Sequence, residues 1–277
     1  MKTYYQLAVD YHPQTAWAAA PMWLEMSFGA LGGGLFIVSA LLNYLPGIVA
    51  GYLLVMAGKG LFLLADLGKQ SRFLYVLKRP FHSWISFGAW AILAFALFGL
   101  IFGVQVLTGS LNGFASLMKV LALAAAAILI VYDGFFLAAS RGVAAWRSSV
   151  LPVLFGVSSL ATSVSVALAL NLPLSTFLAA GLFVLLALAH FSYIKGLMGA
   201  DQASRYSADE LVSGSLKTAY LWVAVVTGTL LPLAISVVAL LGGASTGLWL
   251  VSAVCAVVGV FALRYSILRG GYYAPVL

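Results

Sequence analysis

Hydrophobic residues follow one another in eight long stretches, and polar residues are gathered in the short segments between them. A helix rises 1.5 Å per residue, so about 20 apolar residues are enough to cross about 30 Å of hydrocarbon. We therefore predict an all-α integral membrane protein with eight transmembrane helices. The predicted helices cover residues 20–42, 46–66, 83–106, 114–139, 148–170, 172–196, 215–241 and 246–266.

The predicted helices leave little sequence for anything else, so we expect residues 1–277 to form a single polytopic membrane domain. Within it, residues 20–139 hold helices one to four, and residues 148–266 hold helices five to eight. The composition agrees, because 64% of the residues are hydrophobic and 8% are charged, whereas only about half of a soluble domain is apolar. A water-soluble globule is excluded.

Basic residues are concentrated in alternate connecting segments. The connections after helices one, three, five and seven have no Lys or Arg, and those after helices two, four and six have seven: Lys69, Arg72, Lys78, Arg79, Arg141, Arg147 and Arg205. Because cytoplasmic loops are rich in basic residues, we predict a multi-pass protein of the cell (inner) membrane with both termini in the cytoplasm. The net charge of +7 then reflects topology and not nucleic-acid binding.

Few residues are suited to holding a metal. The single cysteine, Cys255, cannot supply the several thiolates of an iron-sulfur cluster. Of the three histidines, only His190 lies in the middle of a predicted helix, so a second histidine at matching depth for a haem is missing. We expect no metal, no haem and no iron-sulfur cluster in this chain.

Four polar side chains lie inside the predicted helices at nearly one depth. Counting 1.5 Å per residue from the helix ends puts Glu25 about 7 Å, Lys59 about 10 Å, and Tyr132 with Asp133 about 9 to 10 Å below the face of the termini. An ionisable group within a membrane is costly and marks a functional site by default. These residues therefore form the candidate site.

A layer with a carboxylate, an ammonium and a phenol suits a ligand with a polar head and a lipid tail, such as a quinone. Quinone reduction takes up two electrons and two protons, so it needs a hydrogen-bond donor such as Tyr132 and a proton acceptor such as Glu25. The alternative is that Glu25 and Lys59 form a buried ion pair that only orients helices one and two. Spacing alone does not decide between the two interpretations.

We predict that Glu25 and Tyr132 are catalytic and that Lys59 and Gly33 complete the quinone site. Gly33 belongs to a glycine-rich face of helix one, where either another helix or a ligand can come close. Further candidates for the loop and the proton path are Asp66, Arg72, His82 and Asp133. The alternative for Asp66 and Arg72 is a purely structural role in the loop, and the alternative for His82 is simple solvation at the interface.

The segment between helices two and three has the pattern Asp66-Leu67-Gly68, Arg72-Phe73, Leu77, Pro80, Ser83-Trp84, Ser86 and Gly88-Ala89-Trp90. This pattern resembles the corresponding loop of the NrfD-like membrane subunits, typified by the polysulfide reductase membrane subunit. Weaker likenesses occur at Trp23 with residues 29–34, at residues 132–137 with Trp146, residues 151–152 and Phe155, at Trp222 with Gly228 and residues 231–233, and at residues 264–271.

The resemblance implies a quinone-reactive membrane anchor of a respiratory oxidoreductase complex. Such a subunit exchanges electrons between menaquinone or ubiquinone and a four-cluster iron-sulfur subunit, which serves a molybdopterin-type catalytic subunit. It also implies a quinone site in the first four-helix bundle, with Tyr132 as a ligand and Glu25 in place of other polar ligands. Polysulfide, thiosulfate, sulfite, dimethyl sulfoxide, arsenate and formate systems all stay open, as does the direction of electron flow.

Two other functions are compatible with the sequence. A proton- or solute-translocating subunit would use path residues within the helices: Lys59, Asp66, Lys119, Asp133 and His190. The two halves of the chain, however, lack the internal repeat that many transporters have. The other alternative is a passive anchor for a soluble enzyme.

The orientation can be tested at the C-terminus. In the best-known relatives the partner lies on the outer side, so the basic loops could instead be docking charges for an acidic partner. Our prediction is that a reporter that works only in the cytoplasm is active when fused to Leu277. An inactive fusion on a correctly assembled protein would reverse the predicted orientation.

Overall fold

A computed structural model describes residues 13–15, 20–66, 75, 77, 83–243 and 245–273 of the chain. Apart from two isolated β-bridges, the regular structure of these residues is helical. Eight of the described helical segments are long and apolar enough to cross a membrane. The predicted all-α membrane fold is therefore confirmed.

Every predicted span is present, and one further helix lies at the surface. The largest boundary difference is at the sixth span, which begins at Thr176 where the sequence predicts residue 172. In chain order the helices are α1 (Ala20–Leu41), α2 (Leu45–Leu53, a π-helical turn Leu54–Lys59, then Gly60–Asp66), α3 (Trp84–Thr108), α4 (Gly113–Ala138), α5 (Leu151–Ala169), α6 (Thr176–Gly199), α7 (Gln202–Val212), α8 (a π-helix Thr218–Leu230, then Leu231–Gly242) and α9 (Thr246–Arg269).

Polar caps fix where several of the spans begin. Ser83, Asn112, Ser175 and Ser245 precede α3, α4, α6 and α9, and each side chain accepts a hydrogen bond from a backbone N–H of the first turn. These caps satisfy donors that a helix cannot satisfy internally. At the other end of α3, Gly109 adopts a φ of 68°, a left-handed conformation that favours glycine.

The prediction missed α7, an 11-residue helix between α6 and α8. One face of it, which includes Ala208 and Leu211, is buried against the bundle. Asp201 begins the helix: its carboxylate accepts a hydrogen bond from the Ser204 backbone N–H over 2.9 Å and forms an ion pair with Arg147. A short amphipathic helix gives no peak in hydropathy, so a search for apolar stretches passes over it.

The described residues form three hydrophobic cores, of which the two largest are centred in different halves of the chain. In the first half, α1 to α4 meet around Phe36, Phe95 and Leu129. In the second half, α5, α6, α8 and α9 pack around residues that include Phe155 and Phe183. The membrane windows of α1 and α5 are 67% and 78% buried, the largest shares among the spans, so these two helices are central and join the halves.

The segments next to the two termini meet on one face. Pro13 forms an isolated bridge with Tyr272, and Val143 forms one with Tyr273. The Gln14 side-chain amide donates to a backbone carbonyl at the end of α9 over 2.8 Å. These contacts place the beginning and the end of the described chain at the same membrane face, and whether that face is cytoplasmic stays a prediction.

We expect the cap of α7 to matter locally. Burial disfavours the Asp201 carboxylate, but the hydrogen bonds from Ser204 and the charge of Arg147 outweigh it and lower its pKa. Asp201→Ala should therefore weaken α7 by about 1 kcal/mol, which is roughly five-fold faster hydrogen exchange of its amides at pH 7. Because the folded pKa is the lower one, this stabilisation is lost as the pH falls through it.

The matched control for this measurement is Asp209→Ala. Asp209 is an exposed acidic residue on the same helix, and its loss should leave exchange nearly unchanged. Equal effects of the two substitutions would show that the cap does not stabilise α7.

Candidate functional site

Glu25 of α1, Lys59 of α2 and Asp133 of α4 meet in the membrane interior. The Lys59 ammonium donates a hydrogen bond to the Glu25 carboxylate and another, over 2.9 Å, to Asp133 Oδ1. The exposed fractions of these side chains are 6% for Glu25, 1% for Lys59 and 5% for Asp133. We call these three residues the charged triad. Three of the residues predicted to share one depth are thus in direct contact. The Glu25–Lys59 ion pair, which was the structural alternative, is present, and Asp133 adds a second carboxylate to it.

Local structure on two helices places the lysine. Lys59 is the last residue of the π-helical turn in α2; such turns shift the side chains that follow and are frequent at functional sites. On α1, Gly29 leaves the room that the lysine stem occupies, since a Cβ at this position would lie 2.6 Å from Lys59 Cδ. A larger residue at position 29 would therefore require the lysine stem to shift.

The other glycines of α1 bring helices together. Gly32 faces the backbone of α2, Gly33 faces Ile130 of α4, and Gly34 faces Ser159 of α5. These close approaches are typical of membrane helices, in which small residues let backbones pack tightly. The nearest neighbours of Gly33 belong to α4 and not to the charged triad, so its role in quinone binding stays a prediction.

Tyr132 lies beside the triad and points towards the start of α3. Its hydroxyl donates a hydrogen bond to the Trp84 backbone carbonyl over 2.8 Å, and the centre of its ring is 5.8 Å from Lys59 Nζ. Gly88 of α3 makes room for the ring, since a Cβ there would lie 2.8 Å from Tyr132 Cε1. The phenol is therefore within the predicted layer, with its proton directed at a backbone carbonyl.

Aromatic rings surround Tyr132 towards the outer surface of α3 and α4. Trp84 and Phe135 are stacked with ring centres 6.0 Å apart, and they are 42% and 46% exposed. Phe136 stacks on Tyr132 at 5.9 Å. An aromatic surface that faces the lipid therefore lies directly beside the phenol. Aromatic rings near a membrane interface also serve as anchors.

Arg264 of α9 is a further buried charge that the sequence analysis did not assign to the site. It is 1% exposed, and its Nη atoms donate to the hydroxyls of Ser158 and Ser159 and to the Phe155 carbonyl of α5, over 3.1 to 3.3 Å. Arg264 is thus a second buried cation within the spans, held against α5.

The depth count could have found Arg264. The last span ends at Arg269, three residues beyond the predicted end, so that Arg264 lies about 7 Å inside the helix. The predicted end at residue 266 made the same arginine look like a surface residue. A small error in one boundary therefore hid one of the buried charged residues, which are Glu25, Lys59, Asp133 and Arg264.

A second polar pair lies in the other half of the chain. His190 Nδ1 is 3.1 Å from the Tyr220 hydroxyl, and both residues are buried between α6 and α8. A small cavity beside His190 is also lined by the hydroxyl residues Ser158, Thr162 and Thr229. The described residues do not bring together three His, Cys, Asp or Glu side chains that could hold a metal ion.

Some predicted residues lie where the structure gives no account of them. Arg72 and His82 are outside the described residues, and of Asp66 only the backbone, at the end of α2, is described. Their proposed roles in the loop and the proton path stay predictions. Asp133, assigned to the same path, is described and belongs to the charged triad, and its role in the proton path also stays a prediction.

The chain matches the model of a known protein family. A family model described as "Polysulphide reductase, NrfD" matches residues 43–275, which is most of the chain. The matched region includes Lys59, Tyr132, Asp133 and Arg264, whereas Glu25 lies before it. No curated protein matches the chain significantly.

The charged triad should be essential for stability. Lys59→Met leaves two carboxylates buried without their shared cation, and breaking a buried ion pair costs about 3 to 5 kcal/mol. Thermal unfolding in detergent should therefore shift to clearly lower temperature. Adding Glu25→Gln should restore much of the loss, because one buried carboxylate is then removed.

Lys119→Met is the matched control. Lys119 lies on α4 and donates to the Asn43 side chain over 3.0 Å near the opposite membrane face, without a carboxylate partner among the described residues. Its loss should change the unfolding temperature little. A Lys59→Met protein as stable as this control would contradict the role of the triad.

Proposed function

Because the chain belongs to the NrfD polysulphide reductase family, we propose that it is the quinone-reactive membrane subunit of a respiratory oxidoreductase complex. Members of this family are membrane subunits of such complexes. In the proposed reaction, electrons pass between the quinone pool and an iron-sulfur partner subunit. That partner in turn serves a molybdopterin-type catalytic subunit.

The observation that supports this proposal best is the charged triad beside Tyr132. Oxidation of one quinol releases two electrons and two protons, and the protons need acceptors where no water is present. Glu25 and Asp133 are buried carboxylates held by one ammonium, so one of them can take a proton while Lys59 keeps its bond to the other. This supports proton acceptance by Glu25.

Tyr132 is proposed to bind the head group. Its hydroxyl already donates to the Trp84 carbonyl, so its oxygen can accept a hydrogen bond from a quinol hydroxyl in the same position. Rotation of the O–H away from Trp84 would let it donate to a quinone carbonyl instead. One side chain can thus bind both the reduced and the oxidised substrate.

The aromatic surface next to Tyr132 supports a lipid-soluble substrate. Trp84 and Phe135 are stacked and partly exposed on the outer side of α3 and α4. An isoprenoid tail lying along these rings would place its head near Tyr132, without passing through the bundle. The proposal therefore includes entry of the quinone from the lipid between α3 and α4.

The proposed partners dock at the face of the termini. The triad lies nearer that face, so the distance for electron transfer is shortest there. We propose that this face is cytoplasmic and that menaquinone or ubiquinone is the exchangeable substrate. In this proposal the chain has no haem, metal or iron-sulfur cluster of its own, and electrons pass directly between the quinone and the partner.

A second candidate is a proton-translocating subunit. The specific observation in its favour is the buried pair His190 and Tyr220 beside a small polar-lined cavity. This pair lies in the second half of the chain, away from the triad. We therefore propose proton movement through this pair as a second activity beside the quinone chemistry, and not in place of it.

Substitution of the two proposed catalytic residues tests the function. Tyr132→Phe and Glu25→Gln should each lower quinol-dependent reduction of the iron-sulfur partner by about 100-fold, the lower range for loss of acid-base assistance. The absorbance of the partner's clusters gives the rate. The assembled complex in mild detergent is the material to use.

Tyr193→Phe is the control for this measurement. Tyr193 is also buried and donates to the Ala145 carbonyl over 3.0 Å, but it lies in α6, in the second core. The Tyr193→Phe complex should reduce the iron-sulfur partner at a rate within about two-fold of that of the unmodified complex. Normal rates in assembled Tyr132→Phe and Glu25→Gln complexes, or no iron-sulfur protein copurifying with the chain, would overturn the proposal.

A further inference from the structure

The contact between His190 and Tyr220 decides which nitrogen of the histidine carries its proton. Both side chains are buried, and the Tyr220 hydroxyl is 3.1 Å from His190 Nδ1. His190 is the one hydrogen-bond partner that the described residues give this hydroxyl, and a buried donor without an acceptor is costly. Tyr220 therefore donates the hydrogen bond and Nδ1 accepts it.

The same contact leaves the proton of the imidazole ring on Nε2. None of the described carboxylates forms an ion pair with His190, and an unpaired charge within a membrane span is unfavourable, so the neutral ring is the stable form. In a neutral imidazole one nitrogen accepts and the other donates. Nε2 is thus a buried N–H donor that needs an acceptor of its own.

A cavity at His190 has room for that acceptor. Its volume is about 10 Å³, which is about the room that one water molecule needs. Of the residues that the structure describes, Ser158 and Thr162 on α5 and Thr229 on α8 supply hydroxyl groups to its lining, and all three are buried. Polar cavities with about two to four hydrogen-bonding groups hold water, whereas apolar cavities stay empty.

The hydroxyl groups of the cavity can accept hydrogen bonds because their own protons are already used. Each of them donates to a helix carbonyl: Thr229 to Ala224 over 3.0 Å, Thr162 to Ala256 over 3.4 Å and Ser158 to Phe155 over 2.9 Å. A hydroxyl oxygen keeps two lone pairs for acceptance, and one of those on Ser158 is taken by Arg264 over 3.1 Å. The cavity therefore combines one N–H donor with the acceptors Thr162 and Thr229.

We propose that this cavity is a binding site for one water molecule. The water accepts a hydrogen bond from His190 Nε2–H and donates its two protons to the hydroxyl oxygens of Thr162 and Thr229. It also exchanges protons with His190: one proton leaves Nε2 and one from the water takes its place, so the ring stays neutral. The use of this exchange for proton movement rests on the second activity proposed above, whereas the water site does not.

The depth of the cavity gives the water its importance. Tyr220 lies two residues after the beginning of α8 at Thr218, at the face of the termini. Thr162 lies eleven residues after the beginning of α5 at Leu151, which is about 16 Å below the same face. Tyr220, His190 and the water therefore lead from this face to the middle of a hydrocarbon layer of about 30 Å.

Solid-state NMR of the purified chain in lipid, with ¹⁵N-labelled histidine, tests the site without quinone or any partner subunit. The His190 signals, identified by their loss in His190→Gln, should be those of a neutral ring with its proton on Nε2. That proton should show a cross peak with water. A proton on Nδ1, or a proton on Nε2 without a water cross peak, would overturn the proposal.

Two substitutions remove the proposed acceptors while nearly keeping their shape. In Thr162→Val with Thr229→Val the water cross peak should disappear. The Nε2 proton should then exchange with deuterium about ten-fold more slowly, because exchange requires a local opening of the helices. Thr162→Ser with Thr229→Ser keeps both hydroxyls and should keep the cross peak. A cross peak that survives in the valine variant would show that these hydroxyls do not hold the water.

Ser165→Ala is the control for loss of a buried hydroxyl. Ser165 also lies on α5, but it pairs with Ser252 over 2.9 Å and does not line the cavity. Its substitution should leave the cross peak and the exchange rate unchanged. Should the double valine variant not fold, Thr229→Val alone should slow exchange, and an unchanged rate in that variant would contradict the proposal.

The NMR test and a test of proton movement fail independently. Proton movement is followed with a pH-sensitive dye in vesicles that hold the assembled complex during quinol oxidation. A water cross peak together with normal proton movement in His190→Gln would uphold the water site and reject the second activity. No cross peak, together with a loss of proton movement in His190→Gln, would uphold that activity and reject the water site.

Discussion

The positive charge of Lys59 in the hydrocarbon region is the constraint on which the site depends. Even on the mildest insertion scale, such a charge costs about 2.5 to 3.5 kcal/mol near the middle of a membrane helix. Lys59 is tolerated because Glu25 and Asp133 both contact it, which requires α1, α2 and α4 to meet at one depth. The π-helical turn of α2 and the missing side chain at Gly29 follow from the same requirement, since together they bring the ammonium to its partners.

This arrangement makes structure and chemistry hard to separate. The carboxylates that stabilise the lysine are also the groups that we propose exchange protons with a quinol near Tyr132. A buried ion pair was the structural alternative to a quinone site, and in our proposal both roles fall on the same atoms. Family membership favours the chemical role, and the exposed aromatic pair Trp84 and Phe135 gives a lipid-soluble substrate a surface to approach along.

The sequence predicted the spans and the layer because both depend on local quantities, namely hydropathy and the number of residues from a helix end. It could not predict which side chains touch, because contacts between helices depend on their rotation and packing. Asp133 as the second partner of Lys59, and the Tyr132 bond to Trp84, are therefore structural findings. Arg264 was missed through a boundary placed three residues early, and α7 because a short amphipathic helix has no hydropathy signal.

The depth of the charged triad has an electrical consequence. A transmembrane voltage acts on any charge that moves through part of the membrane. Glu25, Lys59 and Asp133 lie inside the spans, so a proton that reaches one of these carboxylates from the membrane surface crosses part of the field. The energy of protonation at the triad, unlike the packing of the helices, therefore depends on the membrane potential.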